Sequence, residues 1–442
     1  MLSLKDTDYL CRIGPGTPMG NLMRQYWMPA IRSDELPAAD CPPVRIKLLG
    51  EELIGFRMTS GTVGLIQNAC PHRGASLFFG RNEEEGLRCV YHGWKFDVTG
   101  ACTDMPSEPA ESNFKNKVHA TAYPTHERNG VIWAYMGPRE VPPPLPDIEA
   151  NMLCQGAHQV AILYRPCNWM QGLEGEMDTV HAAFLHFGTA KSEDYEKGAF
   201  DYYHYRQRDA RFVTMETDYG TANGAYRPAE EDTNYWRITQ ILFPFYHMIP
   251  GGRLGEVIRI GAYVPMDDEH HLQWEIGTFN PDGTADQRAL FRGNLGMDAP
   301  LGSRRLPNGT GWYDRFRSDQ NMANDFLIDR EAQRTGKSYT GIAGVRIQDC
   351  AVTESMGIVN DRSIEHLGTT DSFIIRTRRR LIAMARALEE NGVTPIGVDS
   401  PNVYRQRSGE VIIPRAQDWW DAYTTLRGKW QPVNIPTTTV VS

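Results

Sequence analysis

Two short segments that each pair a cysteine with a histidine constrain this chain more than any other feature. The first contains Cys70 and His72, and the second, which follows after sixteen residues, contains Cys89 and His92. Two thiolates and two imidazoles on two loops can hold a two-iron, two-sulfide cluster, with cysteines on one iron and histidines on the other. Such mixed ligation raises the reduction potential above that of a cluster with four cysteines.

Zinc is the alternative occupant, because two cysteines and two histidines also bind zinc tetrahedrally. The local sequence favours the iron–sulfur cluster over zinc, since each loop carries its own cysteine–histidine pair instead of Cys-x-x-Cys. Glycine also follows each histidine, with Gly74 two residues after His72 and Gly93 directly after His92. Glycines let the backbone curl around a cluster, so that amide N–H groups can point at its sulfurs.

The composition is that of an ordinary globular protein and limits the classes of partner. The 442 residues suffice for two or three domains, and the net charge of −9 does not indicate nucleic-acid binding. Apolar runs fall short of the roughly 18 residues of a membrane span, and the N-terminus lacks the pattern of a signal peptide. The remaining cysteines are scattered and suggest no disulfide framework, so we expect a cytoplasmic protein that binds neither nucleic acid nor membrane.

A proline-rich segment at residues 141–146 favours an extended linker and divides the chain. We predict a lead-in at 1–29, a small antiparallel β domain at 30–140 with the cysteine–histidine loops at one end, and a second domain at 141–442. In the second domain the pattern predicts helices at 168–187, 322–335 and 371–390, and strands at 158–165, 211–219, 234–243, 256–265 and 271–279. This order indicates an α+β fold with helices against one face of an antiparallel sheet.

The predicted helix at 168–187 carries a second set of metal-binding side chains. Asp178 and His181 share one stripe of an α-helix with Gln171 and Glu174, whereas His186 lies about 140° further round. Both imidazoles can face one metal only if the helix loosens or ends between them. Two histidines with a carboxylate from elsewhere form the non-haem ferrous site that activates dioxygen. Taken alone, two unrelated histidines near a helix end are an equally good interpretation.

The carboxylate must come from the C-terminal half, where the acidic candidates are Asp325, Asp329, Asp349, Glu354, Asp361, Glu365 and Asp371. Asp349 differs from the others because it lies in a mostly uncharged run beside Ile347 and Cys350, which indicates burial. A buried carboxylate needs a partner, and a metal is a suitable one. Asp361 and Glu365, which have the basic neighbours Arg362 and His366, fit structural ion pairs or helix caps better.

Both sets of residues resemble the motifs of one family. The loops C-P-H-R-G (70–74) and C-V-Y-H-G-W (89–94) resemble the Rieske motif of oxygenases and ferredoxins. Residues 168–186 resemble the mononuclear-iron motif of Rieske oxygenases, and residues 345–368 resemble the phthalate dioxygenase branch of that family. The resemblance runs from Arg24 to about residue 390, so the chain is identified as similar to the oxygenase (alpha) component of this branch.

The resemblance implies an all-β Rieske [2Fe-2S] domain followed by a helix-grip catalytic domain that holds one mononuclear Fe(II). His181, His186 and Asp349 are then the iron ligands. Asp178 is the acidic bridge that carries electrons from the Rieske histidine of a neighbouring subunit, with Glu174 as a competing candidate. The family also implies a homotrimer or a hexamer, and a separate flavin and iron–sulfur reductase that uses NAD(P)H.

The expected function is that of a terminal oxygenase that uses O2 to oxidise an aromatic carboxylic acid. The reaction is either phthalate-type cis-dihydroxylation or O-demethylation of a methoxylated acid, including lignin-derived biaryls. An arginine would anchor the carboxylate, and the candidates are Arg206, Arg208, Arg211, Arg227, Arg237, Arg253 and Arg259. We expect Arg237 and Thr179 to contact substrate, although a surface position is as good an interpretation for each arginine. The basic run at 376–380 is expected to face solvent, with reductase docking as its alternative.

A Rieske electron-transfer protein with a non-catalytic docking domain is the alternative function, and iron analysis separates the two. An oxygenase should hold about three irons per chain, from a two-iron cluster and a mononuclear site. The electron carrier should hold about two, and a zinc scaffold should be colourless. A ratio near two by elemental analysis of the purified protein would exclude the oxygenase.

Overall fold

The computed structural model describes residues 2–109, 111–152, 159–255, 258–278 and 304–428, which form an all-β domain followed by an α+β domain. This arrangement confirms the predicted fold class. Residues 158, 256, 257 and 279, at the ends of three predicted strands, lie outside the described ranges. No helix within these ranges is long and apolar enough to cross a membrane.

The described residues of the first domain form eleven strands in three antiparallel sheets. The sheet orders are β1-β11-β10, β2-β3-β4-β9 and β5-β6-β7-β8. The strands are β1 (Trp27–Arg32), β2 (Val44–Leu48), β3 (Glu51–Arg57), β4 (Val63–Gln67), β5 (Arg81–Asn82), β6 (Leu87–Arg88), β7 (Lys95–Phe96), β8 (Cys102–Asp104), β9 (Ala122–Tyr123), β10 (Thr125–Arg128) and β11 (Val131–Tyr135). The loop with Cys70 leads from β4 towards β5, and the loop with Cys89 joins β6 to β7, so both lie at the end with the short strands.

The second domain is built on an eight-stranded antiparallel sheet. Its order is β12-β18-β17-β16-β15-β14-β13, and β19 also pairs with β15. The strands are β12 (Gln159–Arg165), β13 (Arg211–Glu216), β14 (Gly220–Pro228), β15 (Thr233–Leu242), β16 (Tyr246–Met248), β17 (Ile258–Pro265), β18 (His271–Thr278) and β19 (Gly409–Pro414). Strand β14 was not predicted, because its glycine and alanine residues give little β pattern.

The helices are α1 (Leu4–Cys11), α2 (Pro18–Arg24), α3 (Trp169–Met177), α4 (Phe200–Arg206), α5 (Arg330–Arg334), α6 (Val345–Glu354), α7 (Ser372–Asn391) and α8 (Trp419–Gly428). Helix α3 packs against β17 and α6, whereas α7 packs against β13, β14 and α2. Helix α7 buries Ile374, Leu381, Ile382 and Ala385 along one face. Helix α3 lies between the sheet and the other helices.

Trp27 joins the two domains at their boundary. Its indole Nε1 donates to the carbonyl of Pro143 at 2.7 Å, and its own carbonyl accepts a 2.8 Å hydrogen bond from the Tyr246 hydroxyl. Trp27 therefore holds the proline segment against the first domain. It also contacts the sheet of the second domain. Strand β1 begins at Trp27, inside the predicted lead-in, and the preceding helices contact α7 through the Tyr9–Glu389 hydrogen bond of 2.7 Å.

The basic run at 376–380 does not simply face solvent. Arg378 is 3% exposed and is paired with Glu174 and Glu365, and Arg380 donates to the carbonyl of Gly220. Only Arg376 and Arg379 are exposed as expected. The expectation was wrong for the other two arginines, because carboxylates hold Arg378 and the backbone carbonyls of Gly220 and Thr217 hold Arg380, and a local pattern does not show such partners.

Glu174 is the centre of a buried ion-pair cluster, which argues against its role as a bridge between metal sites. Its carboxylate accepts hydrogen bonds from Arg362 at 2.9 and 3.0 Å and from Arg378 at 2.6 Å. Burial alone would raise the pKa of Glu174, but the two guanidinium groups lower it below its ordinary value.

Replacing Glu174 with alanine should lower the free energy of unfolding by about 3 kcal/mol, because two buried guanidinium groups lose their partner. Since the folded pKa is depressed, the wild-type carboxylate stabilises the fold above its unfolded pKa of about 4.3 and loses this effect as the pH falls through the folded value. Chemical denaturation at neutral pH and near pH 4 measures both effects. The exposed Glu331, which pairs with Arg334, provides the matched control, and equal losses for Glu174→Ala and Glu331→Ala would contradict the prediction.

Candidate active site

The two cysteine–histidine loops have the same backbone geometry. In each loop the glycine amide donates to the cysteine carbonyl at 2.9 Å, in the pairs Gly74–Cys70 and Gly93–Cys89. Gly74 and Gly93 have φ values of +76° and +79°, a left-handed conformation in which a side chain would be strained. Each loop thus curls back over its cysteine in the same way, as a cluster held symmetrically from two sides requires.

The thiols of these loops lie inside the domain, and the imidazoles lie at its surface. Cys70 and Cys89 are each 3% exposed, whereas His72 is exposed and His92 is half-buried. The two imidazole centroids are 4.4 Å apart, and the Trp94 ring stacks on His72 at 4.3 Å. This donor set fits a cluster whose cysteine-bound iron is buried and whose histidine-bound iron faces outwards.

Helix α3 ends at Met177 and is capped by Asp178, three residues before the first histidine of the second set. Asp178 has extended backbone angles, and its Oδ1 accepts hydrogen bonds from the amides of Val180 at 2.9 Å and His181 at 3.3 Å. Aspartate and threonine favour such turns over helix interiors, because their side chains compete for backbone groups. The sequence Asp178-Thr179 therefore explains why the helix stops here.

A π-helical turn follows at Ala182–His186 and brings the second histidine back beside the first. Its i→i+5 hydrogen bond joins the Phe187 amide to the Ala182 carbonyl at 3.2 Å. This wider turn aligns residues five apart, which an α-helix would separate by about 140°. The Nε2 atoms of His181 and His186 lie 3.1 Å apart. The sequence predicted that the helix must loosen or end for both imidazoles to face one metal, and the chain does so through a break at Asp178 and a π turn.

Asp349 on α6 completes a three-residue group with the two histidines. Its Oδ1 lies 3.5 Å from His181 Nε2 and 3.2 Å from His186 Nε2. Three ligands on one face of an octahedral metal, with bonds of about 2.1 Å, place their donor atoms about 3 Å apart. The arrangement therefore fits a mononuclear metal with two nitrogen ligands and one oxygen ligand.

The electrostatic environment of His181, His186 and Asp349 favours the binding of a cation. Burial alone would raise the pKa of Asp349, but hydrogen bonds from His181 and His186 hold it well below its usual range. Burial alone would lower the pKa of His181, but the hydrogen bond to Asp349 and the charge of that carboxylate raise it to about 9. A divalent metal would replace the protons that the imidazoles otherwise share with the carboxylate.

The other ring nitrogen of each histidine is also bound, which fixes the tautomer. His186 Nδ1 donates to Gln348 Oε1 at 2.8 Å, since the amide nitrogen of Gln348 donates to Thr340 Oγ1 and to the Ile342 carbonyl. His181 Nδ1 donates to the Asp178 carbonyl. Each Nε2 therefore keeps its lone pair for a metal.

The side chain of Asp178 makes no direct hydrogen bond to the His181 ring in this single chain. Its Oδ2 lies 3.9 Å from His181 Nδ1, and 35% of the side chain is exposed. Its role as a bridge between metal sites stays a prediction.

A cavity of about 1060 Å³ opens beside the triad, lined by Thr179, His204, Arg237 and Glu410 among others. Arg237 Nε donates to Thr179 Oγ1 at 3.1 Å, and Nη1 donates to Glu410 Oε1 at 2.5 Å. The structure thus brings both residues expected to contact substrate to the wall of one cavity.

Among the other candidate arginines, Arg253 and Arg259 also line this cavity, whereas Arg206, Arg208, Arg211 and Arg227 do not. Arg208 instead donates to the carbonyls of Gly188 and Ala190 at 3.2 and 2.9 Å, which supports the chain after the π turn.

Glu410 and His204 are cavity residues that sequence reasoning missed. Glu410 on β19 lies directly opposite Arg237 on β15, and burial raises its pKa while Arg237 opposes that shift. Burial, together with the charges of nearby arginines, holds the pKa of His204 well below its usual range. His204 is 2% exposed, and its Nδ1 has no hydrogen-bond partner among the described residues. Neither residue belongs to a recognisable motif, because the fold alone brings it to the cavity.

Comparison with known proteins identifies both parts of the chain. Residues 26–123 match the Rieske [2Fe-2S] domain, and residues 134–436 match the family model described as LigXa C-terminal domain like. The chain is 44% identical over 436 residues to the 3-chlorobenzoate-3,4-dioxygenase oxygenase subunit of Comamonas testosteroni, covering 96% of this chain and 98% of the relative.

Two further relatives differ from each other in the activity that their names give. The phthalate 4,5-dioxygenase oxygenase subunit of Pseudomonas putida is 36% identical, covering 95% of this chain and 94% of the relative. The 5,5'-dehydrodivanillate O-demethylase oxygenase subunit of Sphingobium sp. (strain NBRC 103272 / SYK-6) is 41% identical, covering 86% and 80%.

The two metal-binding sets in one chain define a non-haem iron oxygenase with its own electron-transfer domain. With these matches, the chain belongs to the Rieske oxygenases, in the phthalate dioxygenase-like branch. The predicted enzyme class and its cofactors, one [2Fe-2S] cluster and one mononuclear non-haem iron with O2 as co-substrate, are therefore confirmed. The alternative of an electron carrier with a docking domain is set aside.

Gln348→Ala should weaken the binding of the mononuclear iron about 10-fold, because the His186 ring loses the acceptor that orients it. Iron retention against a chelator measures this, while the Rieske absorbance reports that the cluster domain is intact. The exposed Gln333 on α5 is the matched control. Iron retention by Gln348→Ala as good as that of Gln333→Ala would refute the role of Gln348.

Proposed function

We propose that this protein is the terminal oxygenase component of a multicomponent system that oxidises an aromatic carboxylic acid with O2. The observation that carries the proposal is that the group of two histidines and one aspartate opens directly onto a large cavity. The relatives named above support the substrate class, because their names refer to chlorobenzoate, phthalate and dehydrodivanillate.

His181, His186 and Asp349 would hold the ferrous iron, whose chemistry is the activation of dioxygen at its open coordination positions. The chain's own contribution is to orient these ligands through Gln348 and through the Asp178 carbonyl. The cavity walls position the substrate beside the metal and exclude bulk water from it.

We propose that electrons enter at the Rieske cluster from a separate flavin and iron–sulfur reductase that uses NAD(P)H. The exposed His72 and the partly exposed Asp178 each offer a hydrogen-bonding group at the surface of a single chain. A homotrimer or hexamer, in which the cluster of one subunit faces Asp178 of the next, would connect them. Residues 30–140 and 141–442 are proposed as the two functional domains of each subunit.

Arg237 and Thr179 are proposed to bind the polar groups of the substrate. Because Glu410 already neutralises Arg237, a substrate carboxylate has to share that guanidinium with Glu410. Arg253 and Arg259 line the same cavity, and carboxylates of the lining balance the charge of its guanidinium groups. The site thus offers oriented hydrogen-bonding groups and favours a substrate with polar groups over a purely apolar aromatic compound.

Two reactions fit this site, cis-dihydroxylation of the ring and O-demethylation of a methoxylated acid. The cavity of about 1060 Å³ is slightly above the usual range for ligand pockets, which supports two-ring acids as substrates for either reaction.

Product analysis with a reductase, NADH and a panel of one-ring and two-ring aromatic acids tests the proposal. We expect formaldehyde in stoichiometric amount from a methoxylated biaryl acid, whereas a dihydrodiol without formaldehyde would instead establish ring dihydroxylation. His181→Ala should abolish turnover and leave the Rieske absorbance unchanged. Full turnover by that variant, or no oxygenated product from any acid in the panel, would refute the proposed function.

A further inference from the structure

Arg346 lies one helical turn before Asp349 on α6 and contacts three carboxylates at once. Its Nη1 donates to Glu176 Oε1, its Nη2 donates to Glu275 Oε1 at 2.9 Å, and Nη1 also lies 3.5 Å from Asp349 Oδ2. The four side chains are between 6% and 16% exposed. One guanidinium therefore joins α3, β18 and the carboxylate of the triad.

Glu176 and Glu275, which both accept hydrogen bonds from Arg346, form a second set of possible metal ligands together with His247. Ligand atoms of Glu176, His247 and Glu275 lie within 4.8 Å of one another, and His247 is 1% exposed with no hydrogen-bond partner for its ring among the described residues. However, the guanidinium is already bonded to both carboxylates of this group. Arg346 thus takes the place of a cation there, and the buried carboxylates are neutralised without a second metal.

The two oxygens of Asp349 face different partners. Oδ1 points to the imidazole nitrogens of His181 and His186, at 3.5 and 3.2 Å. Oδ2 lies 3.5 Å from Arg346 Nη1, on the side of the buried carboxylates. A free Oδ2 next to a divalent metal would tend to bind it as well, because carboxylates bind metals with one oxygen or with both.

We propose that Arg346 is a positioning residue that holds Asp349 Oδ2 away from the iron, so that Asp349 binds through Oδ1 alone. Glu176, which also accepts a 2.7 Å hydrogen bond from the Tyr263 hydroxyl, fixes the guanidinium in this place. One-oxygen ligation leaves the face of the metal opposite the triad open for exogenous ligands. The proposal rests on the proposed function, since it concerns the same iron site.

The test is the binding of nitric oxide to the substrate-free ferrous enzyme, followed by electron paramagnetic resonance. In Arg346→Met, Oδ2 is free to occupy a position on the iron, and we expect the Kd for nitric oxide to rise about 10-fold. Arg346→Lys is a second variant in case the first does not accumulate. It keeps the charge, but one ammonium cannot replace the planar fork that spans the carboxylates, so its Kd should also rise.

Glu275→Gln is the matched control, because it removes the charge of one partner of Arg346, keeps an acceptor oxygen there, and leaves the contacts to Glu176 and Asp349 in place. It should bind nitric oxide with the wild-type Kd. Every variant is loaded to saturation with ferrous iron, and the Rieske signal reports an intact cluster domain.

Wild-type affinity for nitric oxide in both Arg346 variants would overturn the inference. Failure of both variants to bind the mononuclear iron at saturation would overturn it too, because Arg346 would then be needed to build the site. The proposed function fails separately, if the wild-type protein itself binds no mononuclear iron or gives no oxygenated product.

Discussion

Helix α3 carries two buried carboxylates that must be paired, and the position of the iron site depends on that pairing. Glu174 is held by Arg362 and Arg378, and Glu176 is held by Arg346 and the Tyr263 hydroxyl. An unpaired charge at either position would cost several kcal/mol. The two residues face different elements, so the helix is fixed in rotation as well as in place, and its end at residue 178 delivers the first histidine to α6.

Positive charge around the cavity is neutralised by the protein's own carboxylates. Arg237 is paired with Glu410, and Arg346 with Glu176 and Glu275. The first pair joins β15 to β19, and Arg346 joins α6 to α3 and β18, so these pairs position the cavity walls as well as balance charge. A substrate anion consequently meets guanidinium groups that are already oriented, at a lower entropic cost than free arginine side chains would require.

The sequence alone predicted the parts of the fold and of the site in which spacing along the chain implies proximity in space. The loops of Cys70 and Cys89 and the histidines after α3 are of this kind, whereas Asp349 was assigned through the family resemblance and is only partly buried. The π turn was not predictable beyond the need for a break, because its geometry depends on tertiary contacts. Arg346, Glu410 and the buried Arg378 were missed because each has a partner 170 or more residues away, which a local pattern does not show.

One wall of the cavity comes from β19 and α8, at residues 409–428, whereas the proposed metal ligands all precede residue 350. During synthesis the two histidines and Asp349 therefore leave the ribosome before the strand that carries Glu410. The donor atoms of the metal site are thus made before the residues that complete this wall and give Arg237 its carboxylate partner.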